Sequence, residues 1–277
     1  MTAQDRINEY WTGRAPDYHA YQQRPERFAA DNAAWAEIWK EALPPAPLDV
    51  LDVGTGSGYV AMTLAGLGHR VTGIDLSTGM LDQARRHAAS LPAPAEFAPT
   101  SAEPAPGTAK PAPGSAKPAP RSAEPVPAYA AALLPSAVVP PVFIEGDAVA
   151  PDFPDASFDA IVGRYVMWTL RSPEAAIANW KRLLRPDGRI AMIDSTWFPD
   201  GLENASENFG HFYDEEVRSL LPLAAAKSID ETTIVLANAG LRDVTVTPLT
   251  SIMRLDQQHG VAPGHEVQMQ FLISGRL

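Results

Sequence analysis

The sequence predicts an α/β protein with a mostly parallel sheet, and three observations lead to that fold class. Short runs of branched apolar residues alternate with longer amphipathic segments along most of the 277 residues. The first run, Leu48 to Val53, leads directly into glycines, as a buried strand does when a helix follows a tight turn. Hydrophobic residues make up 45% of the chain, which is enough for a large core. Strands that alternate with helices pair in parallel through right-handed crossovers.

The first 45 residues are predicted to be helical, and we expect residues 1–45 to form a lid. Ile7, Tyr10 and Trp11 recur at the spacing of one helical face. A second apolar stripe with the same period follows and ends at Pro44, because proline cannot continue a helix.

The elements after the first strand follow in the order that the fold class requires. A helix over residues 58–67 precedes a strand over 70–76, and Ser77 is placed to cap a helix that runs to about His87. The later predicted elements are strands at 142–145, 158–163 and 189–194, a helix at 173–184, a helix at 230–239, and two last strands at 244–249 and 268–273.

A low-complexity segment interrupts this pattern. Four copies of a seven-residue repeat rich in Pro and Ala fill residues 101–128, and the two prolines in each copy exclude a helix. The composition is typical of a solvated linker without apolar surface to bury. We therefore expect disorder from about 92 to 135, either as an expanded insertion or as a docking arm for a partner.

Charge and composition exclude several classes of function. The chain has 22 Lys and Arg residues against 33 Asp and Glu residues, a formal net charge of −11. Such a charge repels phosphate backbones and anionic membranes, so neither nucleic acid nor a membrane is expected as a partner. There is no cysteine, which excludes thiolate sites, and no metal site is predicted. Without a predicted signal peptide or membrane span, we expect a cytoplasmic protein.

The strongest functional signal is the glycine-rich turn after the first strand. Gly54, Gly56 and Gly58 let the backbone approach a ligand closely and open a helix whose first N–H groups face it. Asp75 ends the next strand, where a carboxylate can accept hydrogen bonds from both hydroxyls of a ribose. Asp52 would repel a pyrophosphate and attract a cationic amino acid group. This difference favours S-adenosylmethionine over NAD as the cofactor.

Two further polar stretches follow predicted strands. Gly146, Asp147 and Ala148 come directly after the third strand, where a side chain can hydrogen-bond an adenine amino group. Arg164 ends the fourth strand. Because ligands of open α/β sheets bind at the carboxyl ends of the strands, we expect all of these residues to meet at one crevice.

These motifs resemble those of the class I S-adenosylmethionine-dependent methyltransferases, in particular the bacterial small-molecule type. The matching stretches are LDVGTGSG, VTGIDLS, GDA and FDAIVGRYVMWTL, followed by WKRLLRPDGRIAMID. The resemblance implies a three-layer sandwich around a seven-stranded, mostly parallel sheet with an antiparallel last strand. It assigns residues 46–277 to the methyltransferase domain, interrupted by the insertion. It implies methyl transfer to O, N or C of a small-molecule acceptor, in secondary or cofactor metabolism.

The resemblance also implies how the cofactor lies. Asp52 and Gly54 would face the methionine part, Asp75 the ribose and Asp147 the adenine, while Tyr18 would close over the cofactor. The predicted cofactor-binding residues are Tyr18, Asp52, Gly54, Thr55, Gly56, Gly58, Asp75, Leu76, Met80, Gly146, Asp147, Ala148 and Arg164.

His211 and His19 are the candidates for a general base, should the acceptor have to lose a proton. His211 falls within residues 195–228, which we expect to cap the acceptor pocket, and His19 follows Tyr18 directly. The alternative interpretation for each of them is an ordinary polar residue on the surface. Aromatic residues are predicted to line the acceptor pocket, although a packing role is equally open for them. They are Tyr21, Trp168, Trp197, Phe209 and Tyr213.

Three other functions stay open on the sequence. The fold can bind S-adenosylmethionine and catalyse something other than methylation, such as a cyclisation. The chain can also be a non-catalytic cofactor-binding subunit. NAD-dependent oxidoreduction is the weakest of the three, because of Asp52. Arg164 and Arg14 are candidates for binding an acidic group of a substrate. The acceptor, the methylated atom and the oligomeric state are not encoded in any motif.

Overall fold

The computed structural model describes residues 2–90, 138–198, 207–262 and 266–277. The predicted linker at 92–135, with its repeat, lies outside these ranges. The described residues form one seven-stranded sheet with helices packed on both of its faces. None of the helices within these ranges is both long and apolar enough to cross a membrane.

The sheet has the strand order β3-β2-β1-β4-β5-β7-β6. β1 to β5 pair in parallel, and β7 is antiparallel to both β5 and β6. This confirms the mostly parallel sheet with an antiparallel last strand. The strands are β1 (Asp49–Val53), β2 (Arg70–Asp75), β3 (Val142–Glu145), β4 (Phe158–Arg164), β5 (Leu184–Asp194), β6 (Arg242–Pro248) and β7 (Phe271–Arg276).

Several of the helices begin at a residue whose side chain caps the first turn. Thr2 and Asp5 form a reciprocal capping box at the start of the first helix, and the Ser77 hydroxyl accepts a hydrogen bond from the Met80 N–H in the fourth. The helices are α1 (Ala3–Gln22), α2 (Pro25–Ala42), α3 (Tyr59–Gly66), α4 (Thr78–Ala89), α5 (Pro173–Leu183), α6 (Glu207–Phe212), α7 (Glu215–Ser219), α8 (Ile229–Asn238) and α9 (Thr250–His259), with a 3₁₀ turn at Met167–Thr169.

Both faces of the sheet are covered by apolar layers. Val50 and Leu51 are adjacent in β1 and fully buried, yet they belong to two different hydrophobic clusters. Successive side chains of a strand point to opposite faces, so this is the pattern of a central strand between two helical layers. Trp39 of α2 fills one layer and Trp180 of α5 fills the other, both without solvent exposure.

Several elements differ from the sequence prediction. β5 begins at Leu184 rather than at residue 189, because Leu184 already pairs with Phe158 ahead of an irregular step in the register. The two last strands were predicted at 244–249 and 268–273. In the antiparallel pair that the structure shows, β6 begins and ends earlier in the chain than predicted, and β7 begins and ends later. α9 was not predicted, since its apolar face is narrow: Ile252 is its one buried apolar residue.

Candidate active site

A cavity lies at the carboxyl ends of β1, β2 and β4 and just beyond β3, and residues of α1 complete its lining. It contains about 970 Å³ of empty space, part of which is open to solvent. Because these four strands are neighbours in the parallel part of the sheet, their carboxyl ends meet at one edge. The cavity is therefore where the fold predicts a ligand.

The glycine-rich turn after β1 forms one wall of this cavity. Gly54 and Gly56 have backbone φ angles of 65° and 57°, a left-handed conformation that side chains disfavour. A Cβ atom at Gly54 would also lie 2.5 Å from a methyl group of Val166. At Gly56 such an atom would meet nothing within 4 Å, since this residue faces the open cavity. Gly58 does not line the cavity and starts α3.

Asp75 connects the end of β2 to the glycine turn. Its two carboxylate oxygens accept hydrogen bonds from the N–H groups of Gly56 and Ser77, each at 2.8 Å. Burial raises the pKa of Asp75, and these backbone N–H groups lower it in part. A carboxylate oxygen can accept two hydrogen bonds, so both oxygens retain capacity towards a ligand in the cavity. The geometry suits a pair of neighbouring hydroxyl donors.

Asp52 lies behind this wall. It is 1% exposed, and its Oδ2 accepts a 2.6 Å hydrogen bond from the hydroxyl of Thr55, which does line the cavity. Its Oδ1 is buried and has no hydrogen-bond partner. Burial raises the pKa of Asp52 to about 7, and the Thr55 bond lowers it in part. An incompletely paired buried carboxylate is costly, and a cationic ligand group close to the turn would offset that cost.

α1 contributes one helical face to the cavity. Near its middle, the Thr12 hydroxyl is 3.0 Å from that of Ser77 at the start of α4. At its end, the Ser57 hydroxyl donates a 2.6 Å hydrogen bond to Gln22. α1 is thus fastened to both sides of the glycine turn. The residues of α1 that line the cavity are Gln4, Ile7, Asn8, Trp11, Tyr18 and Gln22.

The far end of the cavity carries a paired carboxylate. Asp147 accepts a hydrogen bond from the Val149 N–H at 2.8 Å and forms a salt bridge with Arg171 at 2.5 Å. Sequence reasoning singled out Asp147 but missed Arg171, because no motif marks a contact between two loops. The salt bridge fixes the Asp147 carboxylate at the rim beside Gly146 and Ala148, which also line the cavity.

Most of the predicted cofactor-binding residues meet at this cavity. Asp52 and Gly58 are the two that lie behind its wall. The predicted residues that line it are Tyr18, Gly54, Thr55, Gly56, Asp75, Leu76, Met80, Gly146, Asp147, Ala148 and Arg164.

The two candidate bases lie elsewhere. His19 packs against His87 of α4, with ring centroids 5.5 Å apart, and burial lowers its pKa. It follows Tyr18 directly, but one residue turns a helix by about 100°, so the two side chains leave α1 on different sides. His211 is exposed on α6 beside Phe212. Neither histidine is part of the cavity lining that the structure describes, so the geometry does not support a role as base.

The five aromatic residues predicted for the acceptor pocket lie outside the lining of this cavity. Phe209 and Tyr213 stack 4.2 Å apart, and Tyr213 accepts a 3.0 Å hydrogen bond from Trp11. Trp168 packs in the same cluster. Their buried rings support α1 from outside the cavity, because the helix needs an apolar surface to dock on. Within the described ranges, none of the five is a lining residue.

The other two of the five make specific contacts. Trp197 donates a hydrogen bond to Asp194 and packs against the ring of Tyr165, with centroids 4.7 Å apart. Tyr21 donates to the carbonyl of Gly260 at 3.0 Å. Among His, Asp and Glu of the described residues, no group of three could hold a metal ion.

Tyr165 is a cavity residue whose importance sequence reasoning missed. Its φ angle is 64°, a strained conformation for an aromatic residue, which is characteristic of functional sites. Its hydroxyl donates to Gln270 at 2.5 Å, and Gln270 donates to Asp256 at 3.0 Å. This chain of contacts joins β4, β7 and α9, which no local pattern could reveal. Further lining residues that were not singled out are Gln4, Asn8, Gln22, Tyr59, Val149, Thr169 and Arg171.

Comparison with known proteins identifies a methyltransferase domain in this chain. A family model described as a methyltransferase domain matches residues 21–220. A ubiquinone biosynthesis O-methyltransferase from Methylocella silvestris is 37% identical over 94 residues, 30% of this chain and 37% of the relative. A highly reducing polyketide synthase from Aspergillus nomiae is 40% identical over 53 residues, 19% of this chain and 2% of the relative. The chain thus matches much less than two thirds of either relative.

Solved structures share the architecture. A SAM dependent methyltransferase from Aquifex aeolicus has a TM-score of 0.52 at 17% identity, with 92% of this chain and 94% of that chain covered. The [4+2]-cyclase SpnF has a TM-score of 0.57 at 14% identity, with 98% and 94% covered. At such identities the likeness shows the fold alone.

Proposed function

This chain belongs to the class I S-adenosylmethionine-dependent methyltransferases, and we propose that it methylates an oxygen, nitrogen or carbon atom of a small metabolite. The observation that carries this proposal is the cavity between the glycine turn, Asp75 and α1. Because α1 lines this cavity along one side, the space suits a small acceptor. The net charge of −11 disfavours nucleic acid. The two curated relatives, named for ubiquinone biosynthesis and polyketide synthesis, favour secondary or cofactor metabolism as the setting.

The residues present fit S-adenosylmethionine. We place its methionine part against the turn from Gly54 to Gly56, its ribose on Asp75, and its adenine between Met80 and Asp147. The unpaired Oδ1 of Asp52 supports this orientation, because a carboxylate behind the turn attracts an ammonium and a sulfonium. When bound, the cofactor supplies an electrophilic methyl group, so the protein has no reactive species to generate.

The contribution of the protein is therefore positioning and exclusion of water. Holding an acceptor in line with the reacting bond can supply about 7–11 kcal/mol of the barrier reduction. We propose that α1 is the lid that keeps water out, in agreement with its row of lining residues from Gln4 to Gln22. We assign no proton transfer to His19 or His211, since both lie outside the described lining.

The lid can be tested at the contact between α1 and α4. A Cβ atom at Gly79 would lie 2.8–3.0 Å from side-chain and backbone atoms of Thr12, so Gly79→Ala forces the two helices apart. We expect S-adenosylhomocysteine to bind about tenfold more weakly, although alanine favours an isolated helix by up to about 1 kcal/mol. The measurement is calorimetric titration with a thermal melt. Gly13→Ala in α1 is the matched control, because a Cβ there meets nothing within 4 Å. Equal affinities of the two variants would contradict the lid.

Methyl transfer itself is tested by turnover. The full chain is incubated with S-adenosylmethionine that carries a deuterated methyl group and with fractionated small-metabolite extracts. We expect S-adenosylhomocysteine to form together with an acceptor that carries the label. Asp75→Ala is expected to abolish both signals. An extract component that is converted without the label, with the cofactor not consumed, would instead establish a non-methylating reaction such as a cyclisation.

A further inference from the structure

Arg164 presents a positive charge to the cavity, and its side chain forms no salt bridge with any residue that the structure describes. It is the last residue of β4 and lines the cavity. Its guanidinium carbon lies 4.9, 4.6 and 4.8 Å from the ring centroids of Trp35, Tyr59 and Tyr165. Three aromatic rings thus hold the group by cation–π contacts, which require no carboxylate. By contrast, the other arginine that lines the cavity, Arg171, is paired with Asp147.

The carboxylates that interact electrostatically with Arg164 each have another partner. Asp31 and Asp256 form salt bridges with Arg27 at 2.5 and 2.6 Å. Asp52 accepts a hydrogen bond from Thr55 behind the glycine turn, and one oxygen each of Asp31 and Asp52 accepts none. No salt bridge or hydrogen bond joins the side chain of Arg164 to any residue in the part of the chain that the structure describes. Its N–H donors are therefore available to a ligand.

Two further donors line the same cavity. Gln22 uses its side-chain oxygen to accept from Ser57, and within the described ranges its amide nitrogen donates to no protein group. The Tyr18 hydroxyl is likewise without a protein acceptor there, and it interacts electrostatically with Arg164. A guanidinium with an amide and a hydroxyl beside it offers donors and no negative charge. The ligand groups that match a planar guanidinium best at neutral pH are a carboxylate and a phosphate, and S-adenosylmethionine, the cofactor proposed for this cavity, carries the first and not the second.

We propose that Arg164 is a carboxylate anchor of this cavity, with Gln22 and Tyr18 as supporting donors. The contacts with Trp35, Tyr59 and Tyr165 hold the guanidinium at the cavity, and its planar set of N–H donors matches a carboxylate. This inference rests on the proposed function, which supplies the cofactor and the acceptor as the two ligands of the cavity. The carboxylate belongs either to the methionine part of the cofactor or to an acidic acceptor, and the recognition chemistry is the same for both.

Binding measurements with matched ligands separate the two sources. Wild type and Arg164→Gln are titrated with S-adenosylmethionine and with decarboxylated S-adenosylmethionine, which differ only in the carboxylate. If the anchor holds the cofactor, the substitution weakens the first by about 30-fold and the second by less than about threefold. If it holds the acceptor, both cofactors bind the variant normally. In that case benzoate and short aliphatic carboxylates bind the S-adenosylhomocysteine complex of the wild type, and binding is lost in the variant.

The controls keep this test independent of folding and of the proposed function. Arg182→Gln, at an exposed arginine paired with Asp155, is expected to change no affinity. Arg164→Lys keeps the charge but not the planar fork, and is expected to show the same selective loss at about fivefold. Equal weakening of both cofactors in the two Arg164 variants, or no change with any carboxylate, would overturn the anchor. If either variant still binds decarboxylated S-adenosylmethionine, the proposed cofactor site is supported even when the anchor is not.

Discussion

Replacement of Asp75 by alanine is expected to weaken S-adenosylhomocysteine binding by at least about 100-fold. The substitution removes two charged acceptors for ribose hydroxyls, and hydrogen bonds to charged groups contribute about 1.5–3 kcal/mol each. It also releases the N–H groups of Gly56 and Ser77, so the glycine turn loses its link to the end of β2. Calorimetric titration of the purified variant measures the loss directly.

Asp82→Ala is the matched control for this result. Asp82 lies on α4, which begins beside the site, but its carboxylate is exposed and pairs with Arg85 at 3.6 Å. We expect its affinity for S-adenosylhomocysteine to stay within about twofold of the wild type. An Asp75→Ala protein that melts cooperatively and binds within threefold of the wild type would show that the ribose does not lie on Asp75.

Asp52→Asn is expected to make the protein more stable and less able to bind its cofactor. The buried carboxyl has a pKa of about 7, above its usual range, so at pH 8 it is charged in the folded state at a cost. A carboxyl whose pKa is raised by folding destabilises the protein increasingly as the pH rises from about 4 through 7. The neutral amide avoids this, with a gain of about 1–3 kcal/mol and a Tm higher by about 3–10 °C at pH 8.

The same substitution removes the negative charge behind the glycine turn. We expect the affinity for S-adenosylmethionine to fall about tenfold or more, with a smaller loss for S-adenosylhomocysteine, which has no sulfonium. At pH 5 the stability gain should vanish, because the wild-type carboxyl is then protonated as well. A Tm gain that is equal at pH 5 and pH 8 would contradict the assignment of the effect to this charge.

Asp49→Asn in the same strand is the control of opposite sign. Asp49 pairs with Arg70 and Arg185 at the end of β1 that is remote from the glycine turn, and the hydrogen bond from Arg70 lowers its pKa. Its substitution is expected to lower the Tm slightly at pH 8 and to leave cofactor binding unchanged. Opposite shifts from two Asp→Asn changes in one strand would separate the function of Asp52 from general effects on β1.

The sequence predicts the parts of the site that depend on local geometry. The turn from Gly54 to Gly58 and the carboxylate of Asp75 each follow a short apolar strand, and the fold class alone brings the ends of such strands together. For this reason the layer architecture, the cofactor class and the meeting of most of the singled-out residues at one cavity could be expected before the structure.

The parts that depend on distant contacts could not be predicted. His19 was singled out because it neighbours Tyr18, yet adjacent residues of a helix face different directions, and it packs on His87 instead. The hydrogen bond from Tyr165 to Gln270 and the cation–π contacts of Arg164 are properties of the folded chain. Neither leaves a trace in hydrophobic periodicity or motif spacing.

The most direct test of the cofactor site is calorimetric titration of the full chain with S-adenosylmethionine, S-adenosylhomocysteine and NAD. We predict micromolar binding of the first two, at one site for each chain, and no binding of NAD at the same concentrations. Binding of NAD in place of S-adenosylhomocysteine, by protein that melts cooperatively, would contradict the account of the glycine turn and of Asp52.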